Sequence, residues 1–163
     1  MKKELSAFFV LLLLVSCAQK LDMIIKSPAF DNNAKIPVKF TCNGIGVNPE
    51  LDISGIPAGT KTLALIVEDP DAPHGTFVHW VVWNIPPGNI AENSVPGIEG
   101  ISSANKKGYF PPCPPSGSHR YVFKVYALDV SLDLSPGAAK ADLEKAMKWH
   151  ILAEGHLIGI YSK

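Results

Sequence analysis

The sequence predicts a mainly β domain, an antiparallel-dominated β-sandwich with one helix near its C-terminus. Three observations carry that expectation. Glycine and proline are frequent, 13 and 14 in 163 residues, and they punctuate short apolar runs. Three of those runs, Thr62 to Val67, Phe77 to Trp83 and Tyr121 to Leu128, are rich in β-branched and aromatic residues and have the length of buried strands. Turn clusters such as Pro57-Ala58-Gly59 and Pro86-Pro87-Gly88-Asn89 separate them.

The elements follow in order. Lys2 and Lys3 precede an apolar run from Leu5 to Val15. That run is too short for a helical membrane span, which needs roughly 20 residues, but it suits the core of a signal peptide. Leu14-Val15-Ser16-Cys17 then resembles a lipobox, with Cys17 as the residue that receives the lipid, palmitate included. The alternative is an ordinary secretory signal with an incidental cysteine. Residues 1–16 therefore read as a lipoprotein signal peptide, 17–22 as a lipidated tether, and 23–163 as the folded domain. Without residues 1–16 about 147 remain, an ordinary size for one domain with its own core.

Met23 to Ile25 and Val38 to Thr41 read as short strands. Near the end, Leu143, Met147, His150 and Ile151 recur at helical spacing, with Ala146 on the same face, and Gly155 is the expected stop. His156 to Tyr161 reads as a last strand.

Charge excludes one class of partner. Thirteen basic and fourteen acidic residues follow position 16. Lys106-Lys107 is the only paired basic cluster there, so nucleic acid is not expected as a partner. Nor does the chain carry a GxSxG elbow, a P-loop or an HExxH pair, so it is read as a non-enzyme without a cofactor. Two cysteines besides Cys17 remain, Cys42 and Cys113. In an oxidising envelope they can pair, or they can stay as buried thiols; sequence does not decide between the two.

The polar chemistry is concentrated in two stretches. In EDPDAPHGTFVHW, residues 68 to 80, Asp69 and Asp71 stand at the mouth of a buried strand, and Pro70 and Pro73 stiffen the loop. Alternation puts Phe77, His79, Val81 and Trp83 on one face of the next strand. Phe77, Trp80 and Trp83 are expected to pack the core. In GYFPPCPPSGSHRYVFKVYALD, residues 108 to 129, alternation puts His119 and Tyr121 on one face at a strand entrance. For the aspartates the plain alternative is capping of backbone N–H groups; for the histidines it is a satisfied core imidazole. Asp69, Asp71, His79 and His119 contain no compact ligand pair such as HxxxH or CxxC, so no metal site is expected. Cys113 with His119 as a thiol–base pair has no further support.

DPDAP followed by the His79 strand, then PPSGSHRYVFKVYALD and the tail GAAKADLEKAMKWHILAEGHLIGIYSK, resembles the phosphatidylethanolamine-binding protein (PEBP) family, which includes the Raf kinase inhibitor proteins, and in its tail the bacterial branch. The resemblance runs from about Ile24 to the end. It implies a PEBP-like β-sandwich with short peripheral helices and a small anion pocket at one end. The pocket would be formed by Asp69, Asp71, His79, Pro112, Cys113, His119 and Tyr121, with residues 111–115 as a wall. It also implies binding of phosphate-bearing small molecules or lipid head groups without a common catalytic reaction. Some relatives inhibit kinases or a peptidase, so an envelope enzyme inhibited through the pocket-rim loops is the second expected partner; a homodimer is a third. One residue departs from the pattern: the family usually has Tyr-x-Gly-Pro where this chain has Tyr109-Phe110-Pro111-Pro112. The expected mechanism has both aspartates accepting from imidazole N–H groups and so fixing the tautomers of His79 and His119. Localisation is expected at a bacterial membrane, and at the periplasmic face of an outer membrane in a two-membrane host, because Ala18 rather than aspartate follows Cys17.

Overall fold

The computed structural model describes residues 23–163; the expected signal peptide, Cys17 and the tether lie outside them. Its chain order is β1 (Ile24–Lys26), β2 (Ala34–Lys35), β3 (Asp52–Ser54), β4 (Thr62–Asp69), β5 (Phe77–Ile85), β6 (Ile98–Glu99), β7 (Ser118–Leu128), α1 (Lys140–Met147) and β8 (Ile151–Ser162). Six strands form one sheet in the order β2-β8-β7-β4-β5-β6, and β1 pairs with β3 in a second, two-stranded sheet. Every pairing is antiparallel except β2 with β8.

The centre of the large sheet, at β4 and most of β5, is buried on both faces, which is why β4 reads as an unbroken apolar run rather than an alternating one. On one face Leu63, Leu65, Val67, Trp80, Tyr121, Phe123 and Val125 pack against Ile25, Ile36, Phe40 and Ile53 of the smaller layer. On the other, Ala64, Ile66, Val81 and Trp83 pack against Leu132 and against Leu143 and Met147 of α1. Asp142 helps to start α1: its Oδ2 accepts the Ala139 N–H at 3.0 Å, satisfying one of the donors a helix start leaves over.

Three expectations change. Val38–Phe40 is a turn of 3-10 helix, not a strand. Pro37 presets its entry, and both the backbone N–H and the hydroxyl of Thr41 bond back to the Val38 carbonyl, closing the turn. The helix ends at Met147, so His150 and Ile151 are not on its face. His150 Nδ1 instead pairs with Asp129 Oδ1 at 2.8 Å, and Ile151 opens β8. Gly155 is inside β8 rather than at a helix stop. A Cβ there would lie 2.2 Å from the Met23 carbonyl oxygen, so β1 can cross β8 at this point only over a glycine.

Candidate functional site

β4, β5 and β7 bring their polar ends together at one edge of the large sheet. Asp69 ends β4 and pairs with Phe77 at the start of β5, while His119 and Tyr121 sit at the start of β7. Around them lies a cavity of about 190 Å³, lined by Asp69, Ala72, Pro73, Phe77, His79, Phe110, Cys113, Pro115, His119 and Tyr121.

His79 reaches this cavity through a break in β5. Val67 opposes Trp80, but the next residue, Glu68, opposes Val78, so His79 is the extra residue of a β-bulge. A bulge lets two consecutive side chains share a face. Val81 and Trp83 accordingly pack on the helix side of the sheet, whereas the His79 ring meets Tyr121 edge-on at 5.1 Å and Phe77 at 4.9 Å. Strict alternation, which joined His79 to Val81 and Trp83, is overturned by that one residue.

Each imidazole has one nitrogen committed. His79 Nδ1 lies 2.7 Å from the Phe110 carbonyl oxygen. A carbonyl only accepts, so this nitrogen carries the proton and Nε2 is left over. An aspartate does not set this tautomer, contrary to expectation. His119 Nδ1 donates to Asp69 Oδ2 at 2.7 Å, as expected for one of the two pairs. Burial pushes the pKa of His79 below 6.5, and His119 nearby adds to that, while the Phe110 carbonyl and the Asp69 charge oppose it.

Tyr121 completes the group. Among the described residues its hydroxyl and Trp83 Nε1 are the buried side-chain polar atoms without a hydrogen-bond partner. Burial, with the Asp69 charge second, raises its pKa; the nearby Cys113 backbone amide pulls the other way without reaching ordinary hydrogen-bond geometry. An unpaired buried hydroxyl costs about 1–3 kcal/mol, so its presence calls for an acceptor or donor in the cavity.

Two expected residues stand outside the lining. Asp71 turns away and grips Arg120: Oδ2 accepts from its backbone N–H and Nε at 2.9 Å each, and Oδ1 accepts from Nη2 at 2.6 Å. Those bonds hold its carboxyl down to about 2. Pro112 is buried behind the wall, where its carbonyl accepts the Cys42 N–H at 3.0 Å. Cys113 lines the cavity and is bonded to Cys42, with a Cα–Cα distance of 5.4 Å. Pro111 sits beside Gly46, where an added Cβ would come within 3.1 Å of its ring; it braces the wall from outside the cavity. Phe77, expected in the core, and Phe110 form the apolar part of the lining, with ring centroids 5.6 Å apart. Sequence reading missed Phe110 because its part is played by a backbone carbonyl in a loop, where side-chain periodicity carries no signal.

Among the described residues no three His, Cys, Asp or Glu side chains gather as metal ligands. One acidic carboxylate and two imidazoles lie in the site, but the carboxylate and one nitrogen of each ring are already spent on protein partners.

Comparison with known proteins agrees with this fold. The chain is 46% identical over 149 residues to the UPF0098 protein PH1269 of Pyrococcus horikoshii, covering 84% of this chain and 75% of that one. It is 45% identical over 150 residues to a UPF0098 protein of Methanothermobacter thermautotrophicus, covering 86% and 99%. A crystal structure of a phosphatidylethanolamine-binding protein homologue from Chlamydia trachomatis superposes with a TM-score of 0.85 at 42% identity, covering 88% of this chain and 99% of that one. E. coli YbcL, described as a member of the mammalian PEBP family, gives 0.80 at 25% identity, covering 87% and 99%. The family model for phosphatidylethanolamine-binding proteins matches residues 26–162, and with the fold and the two imidazole-bearing strands in place the chain belongs to that family.

Proposed function

We propose that the protein is a non-enzymatic lipoprotein of the cell envelope that binds a small phosphate-type anion, free or as a phospholipid head group, in the cavity between Asp69, His79, His119 and Tyr121. One observation carries the reading. Two imidazoles keep Nε2 while Nδ1 of each is fixed by the protein, and the unpartnered Tyr121 hydroxyl stands with them at the same small cavity. Rigid donors of this kind lose little freedom when an oxyanion arrives. Asp69 does not repel the anion as a free carboxylate would, because both of its oxygens accept hydrogen bonds, from His119 and from the Asp71 N–H. Phe77 and Phe110 supply an apolar side for the carbon portion of a phosphoester.

Calorimetric titration of the purified protein with inorganic phosphate and with phosphoethanolamine tests the reading. Saturable binding that is lost in both His119→Ala and His79→Ala supports it. Binding that survives both substitutions, or no saturable binding by the wild type, overturns it. The lipid at Cys17 is tested separately by intact mass of the protein extracted from membranes, against Cys17→Ser.

A further inference from the structure

We infer that the sheet end opposite the pocket docks on the surface of the phospholipid bilayer that anchors the protein, so that the pocket opens away from that bilayer. The inference rests on the proposed lipidation at Cys17. Trp149 is 82% exposed, and Ile151 and Leu152, two and three residues further along the chain, are 37% exposed each. The Lys148 ammonium lies over the Trp149 ring, 5.0 Å from its centroid, and Lys145 is exposed one helical turn earlier. These apolar side chains form the turn from α1 into β8. An exposed indole flanked by lysines and branched aliphatics is the composition of a membrane–water interface.

Chain geometry says what covers this surface. The described chain starts at Met23, whose carbonyl lies against Gly155, three residues along β8 from Leu152. From there it runs toward the other end of the sheet, with Ala34 paired to Gly159 and Ile36 N–H bonded to the Ile160 carbonyl. Cys17 is six residues before Met23, a reach of about 20 Å at most. A lipid on Cys17 therefore holds Met23, which lies at Gly155 and only four β8 residues from Ile151, within that distance of the head groups. The pocket is at the opposite end: His119 pairs with Tyr161, whereas Leu128 pairs with Ile151. Nine β7 residues separate those rows, about 30 Å. The anion is thus taken from the aqueous side or from a facing membrane, not from the head groups of the anchoring leaflet.

Trp80 and Trp83 are 1% and 0% exposed, so environment-sensitive emission comes from Trp149. The lipidated full-length protein is reconstituted into vesicles of equal parts phosphatidylethanolamine and phosphatidylglycerol with brominated acyl chains. Flotation with the vesicles, a blue shift and at least halved Trp149 emission are expected, and Trp149→Ala abolishes the response. A second reporter, His74→Trp in a Trp149→Phe background, marks the exposed loop beside the cavity and stays unquenched. Flotation without quenching of Trp149 overturns the docking while leaving the anchor intact; quenching of both reporters overturns the orientation. No flotation overturns the anchor and the docking together. A blue shift that grows with protein concentration before lipid is added assigns the surface to a second copy and also overturns the inference.

Discussion

Asp69 and His119, fifty positions apart in sequence, meet with 2.7 Å between Oδ2 and Nδ1, and both side chains are almost completely buried. The other oxygen of Asp69 accepts the Asp71 N–H at 2.8 Å. One carboxylate thus serves as both the cap of the loop and the brace of the imidazole, so the structural and functional readings of Asp69 hold together. Asn at this position has one oxygen for two donors, and its NH2 group must face one of them. Asp69→Asn is expected to destabilise the fold by about 1–3 kcal/mol, the cost of a buried donor left unmade. Under the proposed anion-binding role it is also expected to weaken binding of sulfate, used as a phosphate-like probe, because the His119 ring loses its anchor. Urea unfolding and calorimetric titration of the same variant check the two effects together.

The bond between Cys42 and Cys113 closes a loop of 71 positions and fixes one wall of the cavity. In the chain-entropy account a loop of that length contributes roughly 4 kcal/mol. Reduction, or the double substitution Cys42→Ser with Cys113→Ser, is expected to lower the unfolding free energy by that order, and the melting temperature with it, and to loosen binding of the proposed anion. Thermal melts with and without reductant measure the first effect. Titration below the new midpoint measures the second. Unchanged affinity in the reduced, folded protein would show that the wall does not need the bridge.

Much of this site could be read from the sequence, and the part that could not has a physical reason. β7 keeps its alternation, so His119 and Tyr121 share one face as expected. β5 has a bulge at His79, and a one-residue slip moves a side chain to the other face of a sheet without any change in composition. β4 and β5 are visible because burial on both faces makes them continuous apolar runs, and β7 because its apolar residues alternate. The end of α1 was not, because the periodic His150 and Ile151 continue the helical spacing past the point where the chain turns into β8. Asp71 was legible as a loop carboxylate, but its partner, Arg120, faces out from β7 and gave no sign that it would reach across the rim. Pairing of Cys42 with Cys113 depends on a distance between remote segments, which no local pattern encodes.

Burial pushes the His79 pKa below its ordinary 6.5. The sign follows from proton uptake. Below about 6.5 the unfolded chain binds a proton at His79 that the folded chain resists, so unfolding takes up protons and stability falls as the pH is lowered. A bound dianion reverses that preference by stabilising the charged ring. Sulfate is the suitable probe, since its own charge stays constant over roughly pH 5 to 8. Its affinity is expected to rise as pH falls through the bound-state pKa, by at most about tenfold per pH unit for each linked proton. His79→Gln is expected to flatten both the stability slope below 6.5 and part of the affinity slope. A pH series of denaturant melts and titrations reads both, and an affinity independent of pH would remove imidazole charge from the binding mechanism.

Asp71 gives a contrast with Asp69. Its bonds to Arg120 lie at an exposed rim, and they hold the carboxyl at about 2 against an ordinary 3.8. The pair therefore contributes fully above 3.8 and is lost as pH falls through about 2. Screening by solvent and salt keeps such pairs weak. Asp71→Asn is expected to change the melting temperature much less than Asp69→Asn and to leave sulfate affinity near the wild-type value. If the two substitutions weaken sulfate binding equally, Asp71 takes part in the site despite facing Arg120.

Glu68 separates stability from the pocket. It neighbours Asp69 in β4 but points to the opposite face, where its carboxylate takes Lys140 Nζ at 2.6 Å and also pairs with Lys124. Burial alone would push its carboxyl up; the hydrogen bonds and charges of the two lysines outweigh burial and hold it below 4.5. Lys140 is the first residue of α1, so the pair ties the start of the helix to the sheet. Glu68→Gln leaves two ammonium groups without their counter-charge. Full burial would make that cost several kcal/mol, but both lysines are about a third exposed, so about 1–3 kcal/mol is expected. Because the charge lies behind the sheet from His79 and His119, sulfate affinity at neutral pH should stay within about twofold of wild type, under half a kcal/mol. Denaturant melts and titration of Glu68→Gln beside Asp69→Asn measure this directly: two adjacent carboxylates on one strand, both costly to stability, of which only Asp69 matters for the anion.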